Sequence, residues 1–266
     1  MVSSEAARLS IVVLTEDSGE DGRATVEALV GRMLDLVVPG YGRHRVDFLP
    51  SEPMEEEAMR GNVWKTDGKN PREHERRIRL LRYIARKLLS PNTFVAFHVD
   101  GDRPWAERNT SENLDKFDRR VLTLLPQIAE RGRANAPRAR LRAKDDSEPP
   151  APVLQIERLL LVCPFRSIEA WLYQNVRRAS EICRREHGGR HGGDIEAWEG
   201  KRAELDELPA PDQALCLKKA HNMELASRGF PAQLAYDVRK SFAESVDRMG
   251  RCGALRAALE RTRGWG

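Results

Sequence analysis

The run Thr93-Phe94-Val95-Ala96-Phe97-His98-Val99 ends abruptly in Asp100-Gly101-Asp102. Apolar and β-branched residues in unbroken sequence read as a buried strand, and such strands belong to parallel sheets covered on both faces. Open parallel sheets keep their sites at the carboxyl ends of the strands. Two carboxylates one residue apart are therefore delivered to an edge where ligands bind. They repel each other unless a positive charge stands between them. A hard divalent cation answers that need, because Mg²⁺ is held by one or two carboxylates and keeps water or phosphate oxygens as its other ligands. Asp-Gly is also ordinary turn chemistry, so the motif gains force only from its company.

Two further apolar runs share the design. Residues 9–14 (LSIVVL) lead into a polar turn carrying Glu16, Asp17, Glu20 and Asp21, and residues 154–163 (LQIERLLLVC) lead through Pro164-Phe165-Arg166 to Ser167 and Glu169. Helical periodicity follows each strand. Val26, Leu29, Val30, Met33, Leu34 and Val37 share one face, as do Ile78, Leu81, Ala85 and Leu88 in residues 72–89. Leu114, Phe117, Val121, Leu124, Leu125 and Ile128 form a third stripe, and residues 44–49 alternate weakly as a short strand. Strand, helix, strand, helix predicts an α/β fold: a central, mainly parallel sheet with helices on both faces.

Residues 1–180 would form this core, with loop insertions at 50–72 and 134–152. Residues 181–266 would form an extension completing the site: a charged, glycine-rich loop to about residue 211, then helices. In a parallel sheet the three strand ends lie along one edge, so Glu16, Glu20, Asp100, Asp102 and Glu169 converge. Carboxylates gathered in one crevice cost on the order of several kcal/mol unless cations compensate. Two Mg²⁺ or Mn²⁺ ions, roughly 4 Å apart, would clamp a phosphodiester and activate water there.

Composition narrows the partners. The chain has 266 residues, 40% of them apolar, with no uninterrupted run of membrane length and no signal-peptide pattern at its start. Its four cysteines lack a framework spacing, which points to a reduced, cytoplasmic setting. Net charge is only +4, but arginine carries most of the positive side and suits phosphate. Arginines crowd residues 72–86 and 131–142, either as solvated faces or as a track for a phosphate backbone. Aromatics are just 6%, too few for a base-stacking platform. Cys183, His187 and His191 have helical spacing, but adjacent glycines and the lack of a fourth ligand favour a polar loop over zinc. His98 reads as a satisfied sheet histidine or as a wall of the crevice.

With these motifs in place the chain resembles the Toprim domain of topoisomerases, primases and OLD-family nucleases, most closely the OLD-like, defence-associated branch. Glu16-Asp17-Ser18-Gly19-Glu20 is similar to that branch's Glu-Gly-x-Thr-Glu, with Asp17 in place of glycine and Gly19 in place of threonine. Val99-Asp100-Gly101-Asp102 matches its Asp-x-Asp, and residues 165–171 (FRSIEAW) look like its later segment, where a helical Glu completes the metal set. Leu217-Lys218-Lys219-Ala220 carries the lysine that such relatives show further on, Lys219 being preferred to Lys218. The likeness spans about residues 8–175 in blocks, plus that lysine.

The resemblance implies a metal-dependent nuclease, a DNA endonuclease or nickase of anti-phage defence working by two-metal activation of water. Glu16, Asp100, Asp102 and Glu169 would bind metal, Glu20 would assist, and Ser167 would be a ligand or a positioning donor. Lys219 would neutralise charge at the reacting phosphate, and Arg76, Arg79, Arg103, Arg166 and Lys218 would meet nucleic acid. The chain has no Gly-x4-Gly-Lys-[Ser/Thr] loop, so an ATPase partner would be a separate polypeptide. RNA cleavage, or a non-catalytic interaction subunit of a defence complex, are the alternatives.

Overall fold

Alternation along the first strand sets the layers. In the computed structural model, which describes residues 8–17, 19–134, 153–207, 215–227 and 229–263, β1 runs Leu9–Thr15. Its Leu9, Ile11 and Val13 enter one apolar cluster, while Val12 and Leu14 enter another on the opposite face. The next elements are α1 (Gly19–Val37), β2 (Val46–Leu49), α2 (Pro53–Arg60), α3 (Pro71–Leu89) and β3 (Thr93–His98). Then come α4 (Glu112–Phe117), α5 (Leu124–Ala134), β4 (Leu159–Val162), α6 (Ile168–Leu172), α7 (Val176–His187) and α8 (Gly192–Glu196). Helices α9 (Asn222–Ser227), α10 (Ala232–Asp237), α11 (Ser241–Arg251) and α12 (Gly253–Glu260) follow.

The four strands form one sheet in the order β2-β1-β3-β4, every pair parallel. From β1 the chain crosses to β2 on one side and then returns past β1 to β3 on the other. Right-handed crossovers in opposite directions put their helices on opposite faces. Accordingly α1 joins the cluster with Leu9 and Ile11, and α3 and α5 join the one with Val12 and Leu14. The expected α/β architecture with a helical C-terminal region is the one observed. The reversal between β1 and β3 creates a crevice at their carboxyl ends, the usual place for a ligand in such sheets.

Several segments differ from expectation. Residues 50–72 are not a surface excursion: α2 and a 3-10 turn, Val63–Lys65, occupy much of them. Ala58, Met59, Val63 and Trp64 are buried there, with Trp64 edge-on to Phe97 at 5.5 Å between centroids. A few apolar side chains scattered among many charges hid this packing. Residues 184–207, the described part of the expected loop at 184–211, are also more helical than expected: α7 continues to His187, where Gly188 (φ 60°) supplies the left-handed cap, and α8 follows. Strand β4 is shorter than residues 154–163, because Ile156–Arg158 forms a 3-10 turn. The expected insertion at 134–152 falls, after residue 134, outside the described residues.

No seam separates the later helices from the sheet. Ile182, Leu225, Phe242, Val246 and Leu259 share one apolar cluster with Val26, Leu29 and Met33 of α1. The indole N–H of Trp171 donates to Ser241 Oγ (2.5 Å), whose hydroxyl donates to the buried Asp206 carboxylate (2.7 Å). Beyond α12, Thr262 Oγ1 accepts the Gly42 N–H (2.9 Å), fastening the last turn to the loop between α1 and β2. Among the described residues no helix is long and apolar enough to cross a membrane.

Candidate functional site

Thr15 and His98 are the last paired residues of β1 and β3, so the residues just beyond them face each other across the crevice. Glu16 Oε1 accepts the backbone N–H of Asp100 at 2.6 Å, and its Oε2 meets Lys65 Nζ at 2.9 Å. Asp17 Oδ1 meets Lys219 Nζ at 3.1 Å. The two lysines arrive from opposite layers, Lys65 between α2 and α3 and Lys219 from the turn before α9.

Past β3 the backbone stays beside the segment after β4. Val99, Gly101 and Arg103 donate their N–H groups to the carbonyls of Val162 (3.1 Å), Pro164 (2.8 Å) and Phe165 (2.9 Å). A Cβ on Gly101 would lie 2.7 Å from the Phe165 carbonyl oxygen, so this approach requires the glycine between the two aspartates. Asp102 sits in the left-handed region (φ 54°). Asn113 Nδ2 donates to Asp102 Oδ2 (2.6 Å) and to the Asp100 carbonyl (2.7 Å), which fixes the turn. Glu169, in the first turn of α6, is buried, with Oε1 accepting from Asn222 Nδ2 at 3.0 Å.

Asp100 is the electrostatic centre. Its Oδ1 is buried without a hydrogen-bond partner. Burial, and then the carboxylates of Glu16, Asp17, Glu169 and Asp102, push its carboxyl well above the ordinary carboxylate range. Side chains from three separated segments thus act on one carboxyl group. His98 is fully buried, and burial holds its imidazole below the usual value against the pull of Asp17, Glu16 and Glu169. Thr15 Oγ1 accepts the Asp17 N–H (3.0 Å) and is hydrogen-bonded to His98 Nδ1 (2.9 Å). The tautomer that gives the threonine proton an acceptor puts the histidine proton on Nε2, which faces Asp100 Oδ1 at 3.7 Å. His98 therefore lies beneath the crevice, against Asp100.

Glu16, Asp100, Asp102, Glu169 and Lys219 are among the residues brought to this edge. The side chain of Glu20 lies outside the described residues. Ser167 is buried directly before α6, its carbonyl accepting the Ala170 N–H at 3.1 Å. Arg103 is exposed beside Glu107 (3.8 Å), Arg166 is half-buried on the turn after β4, and Lys218 is exposed. Arg76 and Arg79 are engaged on the surface of α3, with Glu57 (2.9 Å) and Glu75 (3.8 Å). Sequence reasoning missed Lys65, Asn113 and Asn222 as partners of the acidic groups, and took Asp17 as one carboxylate of its turn and a departure from a motif, not as a member of the site. The acidity of Asp17 was a usable signal. For the other three, spacing gave none.

The donors gathered here are hard oxygens, the type that Mg²⁺ and Mn²⁺ take, and the unpartnered Oδ1 of Asp100 is a group such an ion would satisfy. In chemistry the residues fit a divalent cation, with Glu16, Asp100, Asp102 and Glu169 as the candidate holders. Among the described residues no three His, Cys, Asp or Glu side chains already stand as a metal-binding group; ammonium groups hold Glu16 and Asp17 instead. Comparison with protein-family models, curated proteins and solved structures finds no match to this chain.

Proposed function

We propose that this protein is a metal-dependent nuclease that hydrolyses phosphodiester bonds of nucleic acid at the β1–β3 crevice. The observation that carries the reading is the buried, unpartnered Oδ1 of Asp100 among four other carboxylates at the switch point of a parallel sheet. The resemblance of the Asp-x-Asp and flanking motifs to OLD-like Toprim nucleases supports it. Glu16, Asp100, Asp102 and Glu169 would hold Mg²⁺ or Mn²⁺, which when bound polarises a phosphate oxygen and lowers the pKa of water. Asn113 and Asn222 orient two of those carboxylates, and Lys219 supplies a cation at the mouth of the crevice. DNA is the favoured substrate and RNA the variant of the same reading. A defence role with a separate ATPase subunit follows from the resemblance alone.

The test is cleavage of matched single- and double-stranded DNA and RNA in Mn²⁺ by wild type and by the Asp100→Ala, Asp102→Ala double variant. Loss of cutting in the double variant is expected. Equal cutting by both proteins would end the proposal. One observation favours a second reading, a non-catalytic subunit with a charge-balanced crevice: Lys65 and Lys219 already neutralise Glu16 and Asp17. That reading requires wild type to neither bind Mn²⁺ nor cut any of the four substrates.

A further inference from the structure

We propose that Lys65 is a built-in counter-cation, which holds Glu16 until a divalent ion arrives, competes with that ion for Oε2, and once displaced turns its ammonium toward the substrate phosphate. The proposal rests on the metal reading above and adds a residue that neither the motifs nor the resemblance supply.

Glu16 has both oxygens occupied. Oε1 accepts the Asp100 N–H, a bond that ties β1 to β3, and Lys65 Nζ stands 2.9 Å from Oε2, so a cation that takes Oε2 has to displace the ammonium. The pair is well shielded, with side-chain exposures of 19% for Lys65 and 13% for Glu16. Shielding makes the ammonium a real competitor, because charges out of water interact more strongly than exposed ones. By contrast Lys219 is 54% exposed and is a weaker competitor for Asp17.

The backbone under Lys65 is fixed, and the ammonium is carried on a stem that can turn about four bonds. Trp64 is fully buried against Phe97, the Lys65 carbonyl accepts from Arg120, and the Thr66 carbonyl accepts from Arg77 Nη1 at 2.6 Å. The Lys65 ammonium already lies 5.1 Å from the centroid of the Trp64 ring, so it has a second favourable contact when it leaves Glu16. Lysine suits the task because its charge is compact, on a flexible four-carbon stem, whereas arginine would grip the carboxylate with a two-pronged fork.

The test is a Mn²⁺ titration, following the EPR signal of free Mn²⁺, on wild type, Lys65→Met, Lys65→Gln and Lys65→Arg, with thermal melts to confirm folding. The neutral variants should bind Mn²⁺ about tenfold more tightly than wild type, about 1.4 kcal/mol, and Lys65→Arg no more tightly than wild type. At saturating Mn²⁺ the neutral variants should nevertheless cut more slowly. If wild type binds Mn²⁺ and the neutral variants bind equally or more weakly, Lys65 is not a competitor, and the metal reading survives. If none of the four proteins binds Mn²⁺, the metal reading fails and this proposal fails with it.

Discussion

Glu16 and Asp100 are joined by a 2.6 Å hydrogen bond from the backbone N–H of one to the side chain of the other. The carboxylate that closes β1 therefore holds the turn that closes β3, and structure and chemistry meet in one residue. Replacing Glu16 separates them. In Glu16→Gln the amide oxygen can still accept the Asp100 N–H, but the amide NH2 then faces the Lys65 ammonium, so the variant should lose about 1 kcal/mol, less than Glu16→Ala, while Mn²⁺ binding and cutting are lost. Glu16→Ala leaves a shielded donor and a shielded ammonium without partners and should cost about 1–3 kcal/mol. Urea denaturation of both variants checks this; equal losses would show that the side-chain bond has no structural weight.

Asp100 makes stability depend on pH in an unusual direction. Its folded-state carboxyl titrates well above the ordinary value of 3.8 because of burial and its acidic neighbours. Between those two values the native state binds more protons than the unfolded chain, so stability falls as pH rises through that window. Asp100→Asn removes the penalty. The variant should melt higher than wild type at neutral pH without divalent ions, and the two curves should converge below about pH 4. Melting curves across pH decide it, and a variant that melts lower at neutral pH would contradict the assignment.

Gly101 tolerates no side chain. A Cβ would lie 2.7 Å from the Phe165 carbonyl oxygen and 3.0 Å from its Cα, both backbone atoms of the segment after β4. Gly101→Ala must push that segment away and should cost about 1–3 kcal/mol. Cutting should fall further than stability, since Asp100 and Asp102 flank the displaced atom. A variant of wild-type stability would mean that the two segments separate without cost.

Asn113 offers a milder test of the same turn. Its amide donates to Asp102 Oδ2 and to the Asp100 carbonyl. Asn113→Ala should lower stability by about 1–2 kcal/mol, because a left-handed aspartate loses its restraint. Mn²⁺ affinity should fall with it, read by the same EPR titration. Unchanged affinity would show that Asp102 needs no support from the helix that follows.

Where the chemistry sits next to an unbroken apolar run, it was legible in the sequence. The strand at residues 93–98 and its Asp-x-Asp ending follow from composition alone, and the helix periods of α1 and α3 follow from spacing. Parallel order then places Glu16 beside Asp100 without further information. Lys65 was not legible, because α2 and the turn after it present mostly charge and bury only a few apolar side chains, a pattern shared with exposed loops. Asn113 and Asn222 were equally hidden. Each touches the site through a tertiary contact, with Asp102 and Glu169 respectively, and nothing in their own neighbourhoods marks them. Arg76 and Arg79 were legible as a basic helix face, but not their acidic surface partners, Glu57 on α2 and Glu75 on α3.

The clasp between Gly42 and Thr262, with the apolar cluster that α1 shares with α9 through α12, bears on how the protein is born. While a ribosome has made only the strands and the first helices, α1 lies on its side of the sheet without the later helices that pack on it, and the lysine and asparagine near residue 220 do not yet exist. Acidic groups would meet at the crevice before Lys219 and Asn222 were available to them. Competence should therefore arise late in synthesis, in one step, when the final helices close over the sheet.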